Sequence, residues 1–248
     1  MMIMTVLDWR KKDKLHYLKW WDVLIITAIM FGYFIWSSMS AFLSLEDVNT
    51  APLSEFSDSS NWYALGFQLV LLFVALVYLY VRNFDFALWK IRITIKSVFI
   101  GIALFIGIAL LFDLYFMIVY NIIPYPRTDD SIFYEQQATN AFLHKLSTVN
   151  LSLLLYSILN GFYEEIFFLG ICLNAAPAKK MYYFVYSLLV RYSFHTYQGN
   201  VSAIAISLLV GGIYYLLYRR MKEKNLFPFF LAHAITDILG AGIISYFF

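Results

Sequence analysis

A single cysteine, Cys172, in 248 residues excludes an intramolecular disulfide and any metal site built from several thiolates. Charge is equally scarce: Asp, Glu, Lys and Arg make up 14% of the chain against 62% hydrophobic residues, outside the range of soluble domains. The first twenty residues are too charged for a cleavable signal peptide, so the first apolar run reads as an uncleaved signal anchor. The short alternating segments of a membrane β-barrel are missing, as are internal repeats and low-complexity linkers. No HExxH zinc signature occurs, no serine sits in a GxSxG turn, and Asp113 and Asp237 lie in no paired motifs of an aspartyl dyad.

What is present is a series of apolar runs, each near the ~20 residues a helix needs to cross a bilayer. They predict spans at Val23–Ser44, Trp62–Val81, Ser97–Ile123, Thr148–Asn174, Tyr182–Tyr197, Ser202–Tyr218 and Leu226–Phe248. The fold class is therefore all-α, a polytopic transmembrane helix bundle of about seven spans. Basic residues test that list. Arg10, Lys11, Lys12, Lys14 and Lys19 precede the first span, and Arg82, Lys90, Arg92 and Lys96 follow the second. Lys179 and Lys180 follow the fourth, and Arg219, Arg220, Lys222 and Lys224 the sixth. Fifteen of eighteen thus fall on alternate loops, which places the N-terminus in the cytoplasm and the C-terminus outside. The net charge of +2 reports this orientation rather than nucleic-acid binding. Trp20, Trp21, Trp62 and Trp89 lie near span ends, as interfacial anchors do. The two external loops, Leu45–Asn61 and Pro124–Lys145, are too short to be domains. The chain divides into a basic N-terminus (1–22), N-terminal membrane helices (23–147) and a C-terminal helical core (148–248).

The spans contain Asp113, Glu164, Glu165, Arg191, His195, His233 and Asp237, and all but the first fall in the last 85 residues. Unpaired, each would cost several kcal/mol in lipid, so such groups face one another or a wet cavity. Counted at ~1.5 Å per residue from the cytoplasmic turns near Pro177–Lys180 and Lys224, the groups reach comparable heights, roughly 20–25 Å up. His233 and Asp237 stand at i and i+4 on one face, as do Arg191 and His195. Glu164 and Glu165 point about 100° apart, so one can face a cavity while the other contacts a neighbouring helix. Two routes to amide hydrolysis fit. A glutamate can act as general base beside histidines that stabilise an oxyanion or protonate a leaving group. Alternatively His195, His233 and Glu164 could hold one divalent ion, zinc being the best match, with a position open for water. A structural polar network that glues the helices is the competing reading.

These residues resemble the CPBP family of intramembrane proteases (CAAX protease and bacteriocin-processing, or Abi). Its motifs EExxxR, FxxxH and HxxxN or HxxxD lie on separate helices. Here they read Glu164-Glu165-Ile166-Phe167-Phe168-Leu169, Arg191-Tyr192-Ser193-Phe194-His195 and His233-Ala234-Ile235-Thr236-Asp237. The resemblance covers about the last 100 residues and implies that 148–248 is the catalytic core. It implies Glu164 as water-activating base, His195 and His233 around the scissile carbonyl, Asp237 orienting them, and Glu165 in support. Cofactor use stays open between none and one divalent metal.

Two positions depart from the motifs: Leu169 replaces the arginine, and Arg191 replaces the phenylalanine. The exchange predicts that Arg191 supplies the guanidinium from the next helix and pairs with Glu165. The remaining features read as structural. Asp113 should pair with backbone or water, Cys172 is a small buried thiol, Tyr197–Asn200 ends a span, and Gly211-Gly212 suits close helix packing.

The function expected is an intramembrane endopeptidase acting on a membrane-embedded or lipid-associated peptide or protein. The small size and compact loops suggest a multi-pass protein of a bacterial plasma membrane, where the resemblance implies roles in bacteriocin or pheromone maturation, self-immunity or surface signalling. The alternative is an inactive membrane scaffold, bacteriocin-immunity factor or signalling regulator. A proton-relay transporter ranks last, because its charges would occupy both halves.

Overall fold

The computed structural model describes residues 14–44, 57–122, 141–174 and 180–246. Arg10, Lys11, Lys12, Arg127, Lys179, most of both external loops, the turn at Pro177 and the last two residues lie outside them. Among the described residues the regular structure is helical, apart from isolated bridging such as that between Leu15 and Phe84. The helices are α1 (Trp20–Leu43), α2 (Asp58–Val81), α3 (Ile95–Ile122), α4 (Ala141–Ser147), α5 (Leu151–Glu165), α6 (Lys180–His195), α7 (Gly199–Ile204), α8 (Gly212–Arg220) and α9 (Phe227–Leu239).

Their starts follow from local chemistry. Asn150 accepts the Leu153 amide at 2.8 Å and so caps α5. Thr94 and Ser97 cap α3 reciprocally: each side chain accepts the other's backbone N–H, at 3.1 and 2.8 Å. Asp22, in the first turn of α1, accepts the Lys19 amide at 2.9 Å. The same carboxylate accepts from Arg82 Nε and from the Tyr78 hydroxyl, each at 2.6 Å, which fastens α1 to the end of α2.

Among the described residues, five helical stretches are long and apolar enough to cross a membrane: Trp20–Leu43, Asp58–Val81, Ile95–Ile122, Leu151–Ile171 and Lys180–Arg220. The fifth is a hairpin holding two of the expected spans. It breaks at Thr196–Gln198, where Gly199 takes φ +80°, a left-handed conformation suited to glycine. The returning arm passes so close to α6 that a Cβ on Gly211 would lie 2.7 Å from Leu188, whereas one on Gly212 would meet nothing. Only the first of the two glycines has the packing role expected of both. Within this arm, residues 205–211 are π-helical, as are residues 166–171 after Glu165.

The seventh span differs from expectation. Its helix ends at Leu239, because Gly240 turns left-handed at φ +97°. Thirteen residues make about 20 Å of helix, short of the ~30 Å hydrocarbon core. The chain then leaves α-helical geometry, ending in a 3-10 turn at Ile244–Tyr246, and Asp113 accepts the backbone N–H groups of Ile243 and Ile244 at 2.9 Å each. That is the backbone pairing the sequence predicts for this aspartate.

The side-chain distribution is that of a protein dissolved in lipid. Val70, Phe73, Val74 and Val77 of α2 point outward, while Asn61, Gln68, Ser157 and Asn160 are buried. In the middle stand α5 and α9. A Cβ on Gly161 would lie 2.6 Å from the Phe230 carbonyl and 3.0 Å from the Ala234 nitrogen, so only glycine lets the two backbones approach this closely. Around α5, Phe31, Tyr163, Phe167, Phe168 and Phe194 form one aromatic cluster, and the Tyr163 hydroxyl donates to the Met30 carbonyl.

Candidate active site

The close approach of α5 and α9 brings two charged faces together. Asn160 and Glu164 share a face of α5 at i and i+4, and His233 and Asp237 do so on α9. Glu165, turned toward α6, meets Arg191: the guanidinium Nη2 donates to Glu165 Oε1 at 2.7 Å. The pairing expected from the Leu169/Arg191 exchange is therefore present. Leu169 is itself buried at 3% exposure. Arg191 is 1% exposed, and its guanidinium carbon stands 4.0 Å over the centre of the Phe168 ring. Phe168 in turn stacks on Phe194. Aromatic face and carboxylate together offset the desolvation of a charge that would otherwise be costly here.

His233 joins the same carboxylate. Its Nδ1 lies 2.8 Å from Glu165 Oε1, and an ionised carboxylate only accepts, so Nδ1 carries the proton. That orients Nε2 between Glu164 Oε2 at 3.8 Å and Asp237 Oδ1 at 3.7 Å. Arg191 Nη1 is 3.9 Å from the same Glu164 oxygen. Among the described residues, Glu164 Oε2, Glu165 Oε2 and Arg191 Nη1 are buried without a hydrogen-bond partner. Buried polar atoms are nearly always paired, so three such atoms within one cluster mark it out.

His195 stands apart from this group. Its Nδ1 lies 2.7 Å from the Arg191 carbonyl, which accepts, so in the neutral ring Nε2 carries the lone pair. The ring packs on Phe194 and lies within electrostatic reach of Arg191 and His233.

Asn160 and Gln68 were not singled out from the sequence. Asn160 Nδ2 donates to Asp237 Oδ2 at 2.9 Å and to Glu164 Oε1 at 3.3 Å. Gln68 Nε2, from α2, donates to Asn160 Oδ1 at 2.7 Å. Tyr156 and Tyr197 lie within electrostatic reach of Glu164 and Asp237. A search of the spans for neutral amides, as well as for charges, would have found the first two.

A divalent ion would need donors free of competing cations. Among the described residues, those that gather within 4.8 Å of one another are Glu164, Glu165 and His233, without His195. Arg191, permanently charged, holds Glu165 and borders Glu164, and His233 Nδ1 is engaged with Glu165. This donor set does not fit zinc. It does fit general-base chemistry: a buried carboxylate with one oxygen held and the other unengaged, facing an imidazole nitrogen and a guanidinium.

Residues 146–239 match the family described as type II CAAX prenyl endopeptidase Rce1-like, within the CPBP family that the three motifs resemble. No curated protein and no solved structure matches the chain.

Proposed function

We propose that this chain is an intramembrane endopeptidase in which Glu164 activates water against a peptide bond of a membrane-associated peptide or protein. The observation that carries the reading is the Glu164 carboxylate, 4% exposed. Oε1 is held by Asn160, while Oε2 is unengaged among the described residues and faces His233 Nε2. Glu164 takes a proton as the water oxygen attacks the carbonyl carbon. That proton then passes to the amine as the C–N bond breaks. His233, when protonated, presents Nε2–H to the oxygen on which negative charge develops, with Arg191 adding a fixed positive charge nearby. His195 presents Nε2 from α6 to the same substrate, and Asp237 orients His233. Glu165 keeps Arg191 and His233 in place.

The match of residues 146–239 supports this reading, and the family description makes a prenylated peptide the first substrate to try. In this proposal residues 148–248 are the catalytic core and 23–147 the helices flanking it. The chain sits in a bacterial plasma membrane with its N-terminus in the cytoplasm. The test uses purified full-length protein in liposomes with two quenched-fluorescent probes: a farnesylated peptide ending in a Cys-aliphatic-aliphatic-X tail, and an unmodified apolar membrane peptide. Wild type should cleave at least one probe with or without chelator, and Glu164→Gln should lose about 10²–10⁴-fold. Equal turnover by Glu164→Gln would remove the base. No cleavage of either probe would favour the scaffold or immunity reading.

A further inference from the structure

We infer that Asn160 and Gln68 are positioning residues for Glu164, so that a helix outside the family-matched segment supplies part of the site. The inference rests on Glu164 as the base. The direction of the amide chain follows from acceptor chemistry. Glu164 Oε1 and Asp237 Oδ2 can only accept when ionised, so the Asn160 amide must turn its NH₂ toward them, one N–H to each. Its carbonyl oxygen then faces α2, and the group 2.7 Å away must be a donor: Gln68 Nε2. The chain runs Gln68 to Asn160 to both carboxylates and cannot be reversed without placing a carbonyl against two anions.

The two carboxylates are thereby fixed alike. Each has one oxygen held by Asn160 and the other turned toward His233 Nε2, at 3.8 Å for Glu164 and 3.7 Å for Asp237. The orientation of the basic lone pair thus depends on an amide, and that amide depends on Gln68. Gln68 is buried at 4% exposure, and its own carbonyl has no partner among the described residues. Asn61, on the same helix, is likewise buried with an unpaired carbonyl and reaches only Ser152 among the described residues; what sets Gln68 apart is that its N–H ends on the very amide that holds Glu164 and Asp237.

Gln68→Glu tests the direction of the chain with almost no change of shape. Protonated, the introduced carboxyl donates to Asn160 Oδ1 as the amide did. Ionised, it only accepts, and Asn160 is driven to flip its carbonyl toward Glu164 and Asp237. Its hydrogen-bonded neighbour is Asn160, and the titratable groups that follow through that amide are Glu164 on α5 and Asp237 and His233 on α9, with Tyr156 of α5 within electrostatic reach of the two carboxylates. The experiment measures kcat and KM across pH in liposomes for wild type, Gln68→Glu, Gln68→Leu and Glu164→Gln, each with its thermal midpoint. Gln68→Leu should lower kcat by about 10- to 100-fold with KM unchanged. Relative to wild type at each pH, Gln68→Glu should keep its kcat in acid and fall to the Gln68→Leu level as pH rises. Wild-type kcat in both Gln68 variants, or a loss confined to KM or to the midpoint, overturns the positioning role. If Glu164→Gln also cleaves like wild type, it is the base assignment that has failed. Absence of cleavage by wild type overturns both.

Discussion

Two clusters of buried charge in this protein are built from similar parts and finished differently. At the start of α1, Asp22 is fully buried and fully used. Oδ1 accepts from Tyr78 and Arg82 Nε, and Oδ2 accepts from the Lys19 amide and Arg82 Nη2. In the second cluster, where α5, α6 and α9 meet, Glu164 and Glu165 face one guanidinium and Asp237 faces His233, and Glu164 Oε2, Glu165 Oε2 and Arg191 Nη1 have no hydrogen-bond partner among the described residues. Leaving one buried polar group unpaired costs about 1–3 kcal/mol. A cluster that only joined helices could satisfy these groups as the Asp22 cluster does. Saturated charge joins α1 to α2; unsaturated charge is free to act on something else.

That contrast can be broken at either end. The largest effect is expected at Arg191, whose removal would leave Glu165 buried without its cation. Arg191→Leu should destabilise the protein by about 3–5 kcal/mol, and adding Leu169→Arg should recover part of the loss by restoring a guanidinium to α5's own continuation. Thermal unfolding in detergent compares the two, and a double variant no more stable than the single one would contradict the relocation of this charge. A smaller effect is expected at Asp22. Asp22→Asn should cost about 1.5–2 kcal/mol, moderated because the Arg82 side chain is one-third exposed. Turnover per folded molecule should stay at the wild-type value.

The smallest effect lies at Asp85, which ties the N-terminal segment to the α2–α3 loop. Burial pushes its carboxyl up, but Lys14 at 3.2 Å, the Ala87 amide and His16 outweigh it and hold the pKa below the usual range. A carboxyl depressed in the folded state contributes its stability above the unfolded pKa of about 3.9 and loses it as pH falls through the lowered value. Asp85→Asn should therefore cost about 0.5–1 kcal/mol at neutral pH, since Lys14 is exposed and screened, and the difference from wild type should close in acid. Midpoints measured against pH check the sign.

The clusters also differ in how legible they are in the sequence. Glu164, Glu165, Arg191, His233 and Asp237 stand out because ionisable residues interrupt apolar runs. Asp22 does not: it immediately precedes the first predicted span, and only the start of α1 at Trp20 shows it to be buried. Asn160 and Gln68 escape because a count of charges ignores neutral amides, and 92 residues separate the two. The spans themselves follow from hydropathy with one exception. Residues after Leu239 remain apolar, so composition extends the last helix to the end of the chain, whereas the backbone turns at Gly240. Hydropathy reports the solvent around a segment and says little about its backbone conformation. The placement of His195 outside the tight carboxylate–imidazole group is likewise a matter of side-chain direction: Nδ1 turns back to its own helix at the Arg191 carbonyl.

The most direct test of unsaturated charge as the mark of chemistry is a paired measurement of probe cleavage and thermal midpoint in Glu164→Gln and Asp22→Asn. Glu164→Gln should lose cleavage by about 10²–10⁴-fold with a midpoint within a few degrees of wild type, while Asp22→Asn should lower the midpoint and leave turnover intact. A Glu164→Gln protein that cleaves normally but melts early would contradict it.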